Sequence, residues 1–358
     1  MDFKLTKTQM LQQELFRKFA ETEIKPIAKD MDEAEDYDRE LLQKLQKIGA
    51  FGIPYSREYG GQGADVLTYT LCMEEMSKVD ASTGITLSVH TSLCCPCINE
   101  FGTEEQKQKY LRPLVDGSKI GCFGLTEPGA GTDAAGVKTT ADKTEDGKYY
   151  VLNGTKMFTT NSGFADTFIV FALTDKSKGP KGMSAFIVER EFEGLSVGPN
   201  IERMGIRAAS NCEVIYENVK VPAENLLGKE GQGYKIAMTA LGGGRIGIGA
   251  QSVGIAQGAI DETLKYVKER KQFGRSIGQF QNTQFQLADM ATKVEAAKQL
   301  VYKAAMAKAT QKVYSVEAAM AKLYAAEVAM EVTTKAVQLH GGYGYIREYD
   351  VERMMRDA

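Results

Sequence analysis

The order of two hydrophobic periodicities along the chain limits its fold more than any other feature. Residues 118–222 carry short β-rich runs at Tyr149–Leu152, Phe168–Leu173, Ser184–Val188, Glu213–Tyr216 and Val219–Val221. Turn residues such as Asn153-Gly154 and Lys178-Gly179-Pro180 separate them, and no helical pattern falls between. Closely spaced strands of this kind predict an antiparallel barrel or sandwich. Residues 140–154 read as a hairpin turning at Asp146-Gly147. On either side the period becomes helical, so the chain is α+β and multidomain. The βαβ alternation of a doubly wound sheet is excluded. Three domains are expected: an α-helical domain over 1–117, a β-barrel over 118–228 and a helical bundle over 229–358.

In the first of these, Leu11, Leu15 and Phe19 recur at intervals of four, and Leu41, Leu45 and Ile48 at four and three, so each set predicts one buried helix face. Asp65, closing the loop YGGQGAD, is positioned to cap a helix. Thr103 and Gln106 have capping-box spacing. In the last domain Leu287, Met290, Val294, Ala297, Val301 and Ala304 predict a bundle seam. Val316, Met320, Leu323, Met330 and Val337 continue it in a second helix, with Ser315 as N-cap. Between 242 and 258 lie seven glycines, each costing about 1 kcal/mol in a helix interior relative to alanine. Gly247, Ala250, Gly254 and Gly258 share one face. Something must approach that face closely, by default a neighbouring helix, with a ligand at the helix start as the second reading.

Composition removes several function classes. The 44 basic residues are offset by 47 acidic ones, so nucleic-acid binding through bulk positive charge is not expected. No run of about 18 apolar residues predicts a membrane span, and the opening MDFKLTKTQM does not read as a signal peptide. Six cysteines in 358 residues are too few for a disulfide scaffold and suit a reducing, cytoplasmic setting. Cys94, Cys95 and Cys97 cluster, but the only histidines are His90 and His340, so no metal site is expected. Carboxylates or an organic cofactor are left to carry any chemistry.

Four segments are candidates. Phe123–Asp133, FGLTEPGAGTD, can aim backbone N–H groups and hydroxyls at an anionic or heteroaromatic ligand; on spacing alone a plain turn fits as well. Asn153–Asn161, NGTKMFTTN, sets an aromatic beside two hydroxyls, or is a strand with one inward ring. Arg270–Gly274, RKQFG, has helix C-cap composition, and its Arg and Phe could also grip phosphate and adenine. Gln338–Tyr345, QLHGGYGY, reads as a helix end and turn. Val351–Ala358 reads as the start of an amphipathic helix.

Together LTEPGAGTD, NGTKMFTTN, GGGRIGIGAQSVGIAQGA, ERKQFGRSIGQFQNTQFQLADM, QLHGGYGYIREYDVERMMRDA and PYSREYGGQGADVLTY resemble the acyl-CoA dehydrogenase family. They fall in the family's order and spacing and span the chain; the short-chain, bacterial branch is the nearest likeness. The resemblance implies an N-terminal helical domain, a central β-barrel and a C-terminal four-helix bundle, here with its last helix incomplete, assembled as a homotetramer. It implies non-covalent FAD, an acyl-CoA substrate oxidised to a trans-2-enoyl-CoA, and electron-transferring flavoprotein as partner, with reverse operation as an enoyl-CoA reductase a close alternative.

Carried over by position, Phe123, Leu125, Thr126, Gly131 and Thr132 line the flavin, Thr132 also reaching toward diphosphate or CoA. Phe158, Thr159 and Thr160 lie on its other side. Arg270, Gln272, Phe273, Gln281, Gln338, Leu339, Gly341 and Gly342 contact the adenosine diphosphate part from a neighbouring subunit. Gly242, Gly243, Gly244 and Arg245, with Thr132, contact the acyl-CoA. The family's catalytic glutamate lies in a Tyr-Glu-Gly-Thr segment just after the Arg-Asp-Ala match, so it is expected beyond Ala358 and no catalytic base is expected within this stretch. The alternative position for the base is Gly244, which cannot act as one. Gly242 stands where the family often has Asp, and Asp350 where many relatives have Pro. A base-less FAD- and CoA-binding protein is the remaining alternative.

Overall fold

The computed structural model describes residues 4–358. Its first part is helical: α1 (Lys7–Phe19), α2 (Lys25–Ala34), α3 (Arg39–Lys47), α4 (Val66–Ser77), α5 (Ala81–Val89), α6 (Cys95–Phe101) and the short α7 (Glu104–Gln106) and α8 (Arg112–Val115). Side chains start these helices where the sequence placed them. Asp65 accepts the Thr68 N–H at 2.7 Å, and Thr103 and Gln106 complete a reciprocal capping box. Leu41 and Leu45 are fully buried, as expected, whereas Leu11 and Leu15 are exposed and only Phe19 of that set is buried. The buried face of α1 runs instead through Gln9, Phe16 and Phe19.

The middle part is one eight-stranded sheet: β1 (Gly121–Gly124), β2 (Thr140–Lys143), β3 (Tyr149–Thr160), β4 (Thr167–Leu173), β5 (Met183–Glu189), β6 (Leu195–Asn200), β7 (Asn211–Pro222) and β8 (Leu226–Leu227). The order is β6-β7-β3-β2-β4-β5-β8, with β1 beside β4. Most pairs are antiparallel. The expectation of a purely antiparallel barrel is corrected in one respect, since β1 and β2 both run parallel to β4. The β2–β3 hairpin forms with Gly147 at φ +70°. The two runs at 213–221 prove to be one strand. Asn218 takes a left-handed φ of +54° and its N–H bonds Asn153 Oδ1 at 2.8 Å, which carries the chain through a register break.

Strands β4 and β5 are continuous apolar runs because both faces are covered. Phe168, Val170 and Phe186 face an inner core with Tyr150, Leu152, Val214 and Tyr216. Ile169, Phe171 and Ile187 face a second core with Leu111, Leu114, Ile236 and Ala240. That second core joins the sheet to the helices.

The last part comprises α9 (Gly233–Glu269), a small hairpin of β9 (Lys271–Gln272) and β10 (Arg275–Ser276), α10 (Gln281–Thr310), α11 (Ser315–His340) and α12 (Val351–Asp357). The α10 seam is buried from Met290 to Ala304. The α11 expectation fails: Val316, Met320, Leu323 and Met330 are exposed. The buried face of α11 is the small-residue one, Ala318, Ala321, Ala325, Ala329 and Ala336, because α9 meets it with glycine. A Cβ on Gly249 would lie 3.5 Å from the Ala321 backbone. Ser315 is the first helical residue rather than the cap, and Tyr314 before it offers no side-chain cap. On the opposite side of α9 the default reading of the glycines holds. A Cβ at Gly254 would sit 2.4 Å from the Glu74 carbonyl oxygen, and one at Gly258 2.2 Å from that of Lys78.

Candidate active site

A cleft of about 430 Å³ opens between the sheet and the start of α9. It falls within the range of roughly 300–1,000 Å³ usual for small-molecule sites. One wall comes from the sheet. Phe123, Leu125, Thr126, Gly131 and Thr132 reach it from β1 and the loop that follows, and Met157, Phe158 and Thr160 from β3. The loop is folded by a tight turn in which Glu127 and Ala130 exchange backbone hydrogen bonds at 3.1 Å. Cβ atoms on Gly129 or Gly131 would meet nothing within 4 Å, so these glycines leave space beside the loop.

Strand β3 presents its residues through a bulge. Its register against β7 breaks between Lys156 and Thr159. Phe158 there has φ +54° and is 58% exposed, so an aromatic ring is turned out of the sheet into the cleft. Thr160 Oγ1 accepts from Asn211 Nδ2 at 3.4 Å, which leaves its own proton free for a ligand. Thr159 differs from the expectation: it is buried behind the strand, its hydroxyl has no partner among the described residues, and it does not line the cleft.

The opposite wall is helical, and of its residues only Arg245 was anticipated. Val89 and Leu93 come from the junction of α5 and α6, where His90–Cys94 form a π-helical turn. Pro96 cannot donate to the Ser92 carbonyl four residues back, which favours the wider turn. Tyr234, Met238, Leu241 and Arg245 project from α9 at intervals of four, three and four, a spacing the sequence did offer. Gly244 faces Leu93, 2.7 Å from where a Cβ would stand. Of the expected acyl-CoA contacts only Arg245 and Thr132 line the cleft. Gly243 borders a separate cavity of about 110 Å³ with Tyr55, Ser92 and Lys308. Gly242 lies against Tyr314.

The electrostatics are simple. Arg245 and Tyr234 are the only ionisable groups among the described lining residues, and no carboxylate reaches the cleft. Arg245 is exposed. A cleft with phenyl, leucine and methionine walls, threonine hydroxyls and one cation suits the apolar faces and polar edge of a heteroaromatic ring. It offers nothing that would bind a metal.

The remaining expected cofactor contacts lie elsewhere. Arg270 lines a second cavity of about 600 Å³ with His340 and Tyr343, its guanidinium 5.1 Å from the Tyr343 ring centre. Gln272 and Phe273 stand on the β9–β10 hairpin, where Phe273 is 93% exposed at φ +53°. Gln281 opens α10, Gln338 and Leu339 close α11, and Gly341 and Gly342 form the turn beyond it. None of them lines the cleft of its own chain. Both histidines are structural. His90 bonds the Leu114 carbonyl and the Gly121 N–H, and burial pushes its pKa down to about 4. His340 bonds Ala336 and stacks on Tyr266.

Comparison with known proteins matches this architecture. The acyl-CoA dehydrogenase N-terminal, middle and C-terminal domain families match residues 6–118, 122–219 and 231–358. The chain is 56% identical to the short-chain specific acyl-CoA dehydrogenase of Clostridium acetobutylicum, over all of this chain and 94% of that protein. It is 48% identical to the caffeyl-CoA reductase-Etf complex subunit CarC of Acetobacterium woodii, over 96% and 90%. The solved butyryl-CoA dehydrogenase of Megasphaera elsdenii superposes with a TM-score of 0.98 at 50% identity, covering 100% of this chain and 94% of that one. Three contiguous domain matches, high identity along the whole chain and the same spatial arrangement have one reading: the chain belongs to the acyl-CoA dehydrogenase family.

Proposed function

We propose that this protein is an FAD-dependent acyl-CoA dehydrogenase acting on short, butyryl-like thioesters, with domains at 1–117, 118–228 and 229–358. The observation that carries the reading is the cleft, an aromatic and aliphatic slot edged by hydroxyls. When bound, FAD supplies the two-electron acceptor for the β-hydride. Thr126 and Thr160 then hold the polar edge of the ring, and Phe123, Leu125, Phe158 and Met238 exclude water from its faces. A dry, donor-edged site is what the reaction needs, because the α-proton becomes acidic only when the thioester carbonyl is polarised. Arg245 orients the acyl-CoA at the mouth of the slot.

Proton abstraction requires a carboxylate, and the described lining holds none. Homotetramer formation is part of the proposal: it would cover the apolar face of α11 and bring Arg270, Gln272, Phe273, Gln281 and Gln338 to a neighbour's cofactor. Electron-transferring flavoprotein is the proposed redox partner. The likeness to a reductase–Etf complex subunit favours a second reading, reduction of an enoyl-CoA by the same site. The six cysteines are buried and free, which supports a reducing, cytoplasmic setting.

The purified protein is expected to be yellow, and butyryl-CoA to perturb its flavin spectrum. With a C-terminal extension carrying the glutamate, butyryl-CoA is expected to bleach the flavin. A colourless protein that takes up no added FAD overturns the reading; a yellow one that stays unreactive when extended points to binding without dehydrogenation. In the extended form Arg245→Ala is expected to lower turnover at least tenfold with FAD retained, a change of about 1.4 kcal/mol. Loss of FAD instead would place Arg245 wrongly.

A further inference from the structure

Two charged residues of the site motifs touch nothing in the cleft. Lys156, in NGTKMFTTN, is 0% exposed, and Glu127, in LTEPGAGTD, is buried. Lys156 Nζ donates to Glu127 Oε1 at 2.7 Å and to the Leu125 carbonyl at 3.1 Å. The carboxylate is otherwise filled. Oε1 also accepts the Thr139 hydroxyl at 2.6 Å and the Thr139 N–H at 3.0 Å, and Oε2 accepts the Lys138 N–H at 2.6 Å.

The placement is specific. Leu125 and Glu127 flank Thr126, so one ammonium pins both neighbours of a cleft-lining hydroxyl. Lys156 also stands two residues before Phe158, at the point where β3 loses register with β7. Beside it the Met157 N–H donates to the Thr126 carbonyl at 2.8 Å, and the lysine stem passes 3.4 Å from where a Gly124 Cβ would be. The two sheet-derived segments of the cleft are thus joined by one side chain and one backbone bond.

A buried ion pair is a poor means of gaining stability, since apolar residues of similar volume do as well or better. What it adds is direction: the donors fit only one arrangement of loop and bulge. We propose that Lys156, with Glu127, is a positioning residue that sets the distance between the Thr126 loop and the Phe158 bulge, and so the width of the flavin slot. The inference rests on the FAD reading above. Burial draws the Lys156 pKa downward against the pull of Glu127. Burial would raise the Glu127 pKa, but Lys156 and Thr139 hold it below the usual carboxylate range. The close geometry keeps the pair charged at neutral pH.

The test compares flavin-free wild type, Lys156→Met, and the double variant Lys156→Met/Glu127→Leu. FAD dissociation constants are read by flavin fluorescence, absorption spectra by titration, and melting temperatures without flavin. The single variant strands a buried carboxylate and can fail to fold. The double variant removes both charges and keeps the volume, and is expected to melt near wild type without FAD. Its FAD affinity is expected to drop about 10- to 100-fold, as for a ring held in a misplaced site, with a shifted flavin absorption band. A folded double variant that binds FAD within about twofold of wild type, with an unshifted band, overturns the inference and leaves the functional reading standing. A double variant that does not fold without FAD also overturns it, since the pair would then be serving stability. Wild type that takes up no FAD removes both.

Discussion

The sheet side and the helical side of the molecule each bury a glutamate, and the two titrate in opposite directions. Glu127 sits in a ring of donors, and its pKa lies below the ordinary range. Glu74, in α4 against α9, has the Tyr302 hydroxyl on one oxygen at 3.1 Å and no partner on the other among the described residues. Desolvation pushes its pKa up to about 8, against the opposing pull of Lys298 and Tyr302. The residue type is the same and the solvent exposure similar, so the partners decide which protonation state the fold prefers: a buried ammonium at 2.7 Å with three further donors for Glu127, a single hydroxyl for Glu74. Where the site is built, donors are complete and the charge is retained. Where helices merely pack, the carboxyl is kept neutral at moderate pH.

Glu74 therefore offers the largest test of this contrast. A raised folded-state pKa gives stability that is fully present below the unfolded value of about 4.5 and lost as pH rises through about 8. Wild type is expected to lose on the order of a few kcal/mol between pH 5 and pH 9, and Glu74→Gln to flatten that slope in urea titrations. Equal slopes for the two proteins would show that the helical side does not carry the neutral carboxyl. For Glu127 the sign reverses, and its contribution is lost only as pH falls below the carboxylate range.

A second test addresses how the helical side packs. Gly258→Ala places a Cβ 2.2 Å from a backbone oxygen, which cannot move as a side chain can. A net loss of roughly 1–3 kcal/mol is expected, although alanine is intrinsically the better helix former by about 1 kcal/mol. A gain in denaturation midpoint would mean that α4 and α9 can separate freely. The smallest stability effect is expected on the sheet side, where Phe158→Leu should leave the flavin-free protein within about 0.5 kcal/mol of wild type. That substitution keeps an apolar group at the bulge but removes the flat ring. Its consequence should appear as weaker FAD binding in fluorescence titration.

How much of this was legible beforehand divides along the same line. The sheet wall was readable because it is made of motif: Thr126, Thr132, Phe158 and Thr160 line the cleft as their segments implied. The helical wall was readable only at Arg245, because Leu93, Met238 and Leu241 resemble any core residue until a cavity is seen beside them. Periodicity also misjudged α1 and α11. In α11 both the large-residue stripe and the alanine stripe repeat helically, and the glycine face of α9 decides which is buried. Sequence cannot show that decision, since it depends on how closely two backbones approach. The Lys156–Glu127 pair was hidden for a related reason: its members are 29 positions apart, and a lysine in a strand is ordinarily taken for a solvent-facing one.

The thiols described above give the chain a built-in record of its own breathing. All six are buried and unpaired: Cys72 within α4, Cys94, Cys95 and Cys97 around the π-helical turn, Cys122 on β1 and Cys212 on β7. An alkylating reagent can reach such a sulfur only when its surroundings open. Mass mapping of labelled positions against time would then rank the opening free energies of the three domains without any engineered probe, and flavin uptake should slow Cys122, which precedes the cleft-lining Phe123 on β1, far more than Cys72.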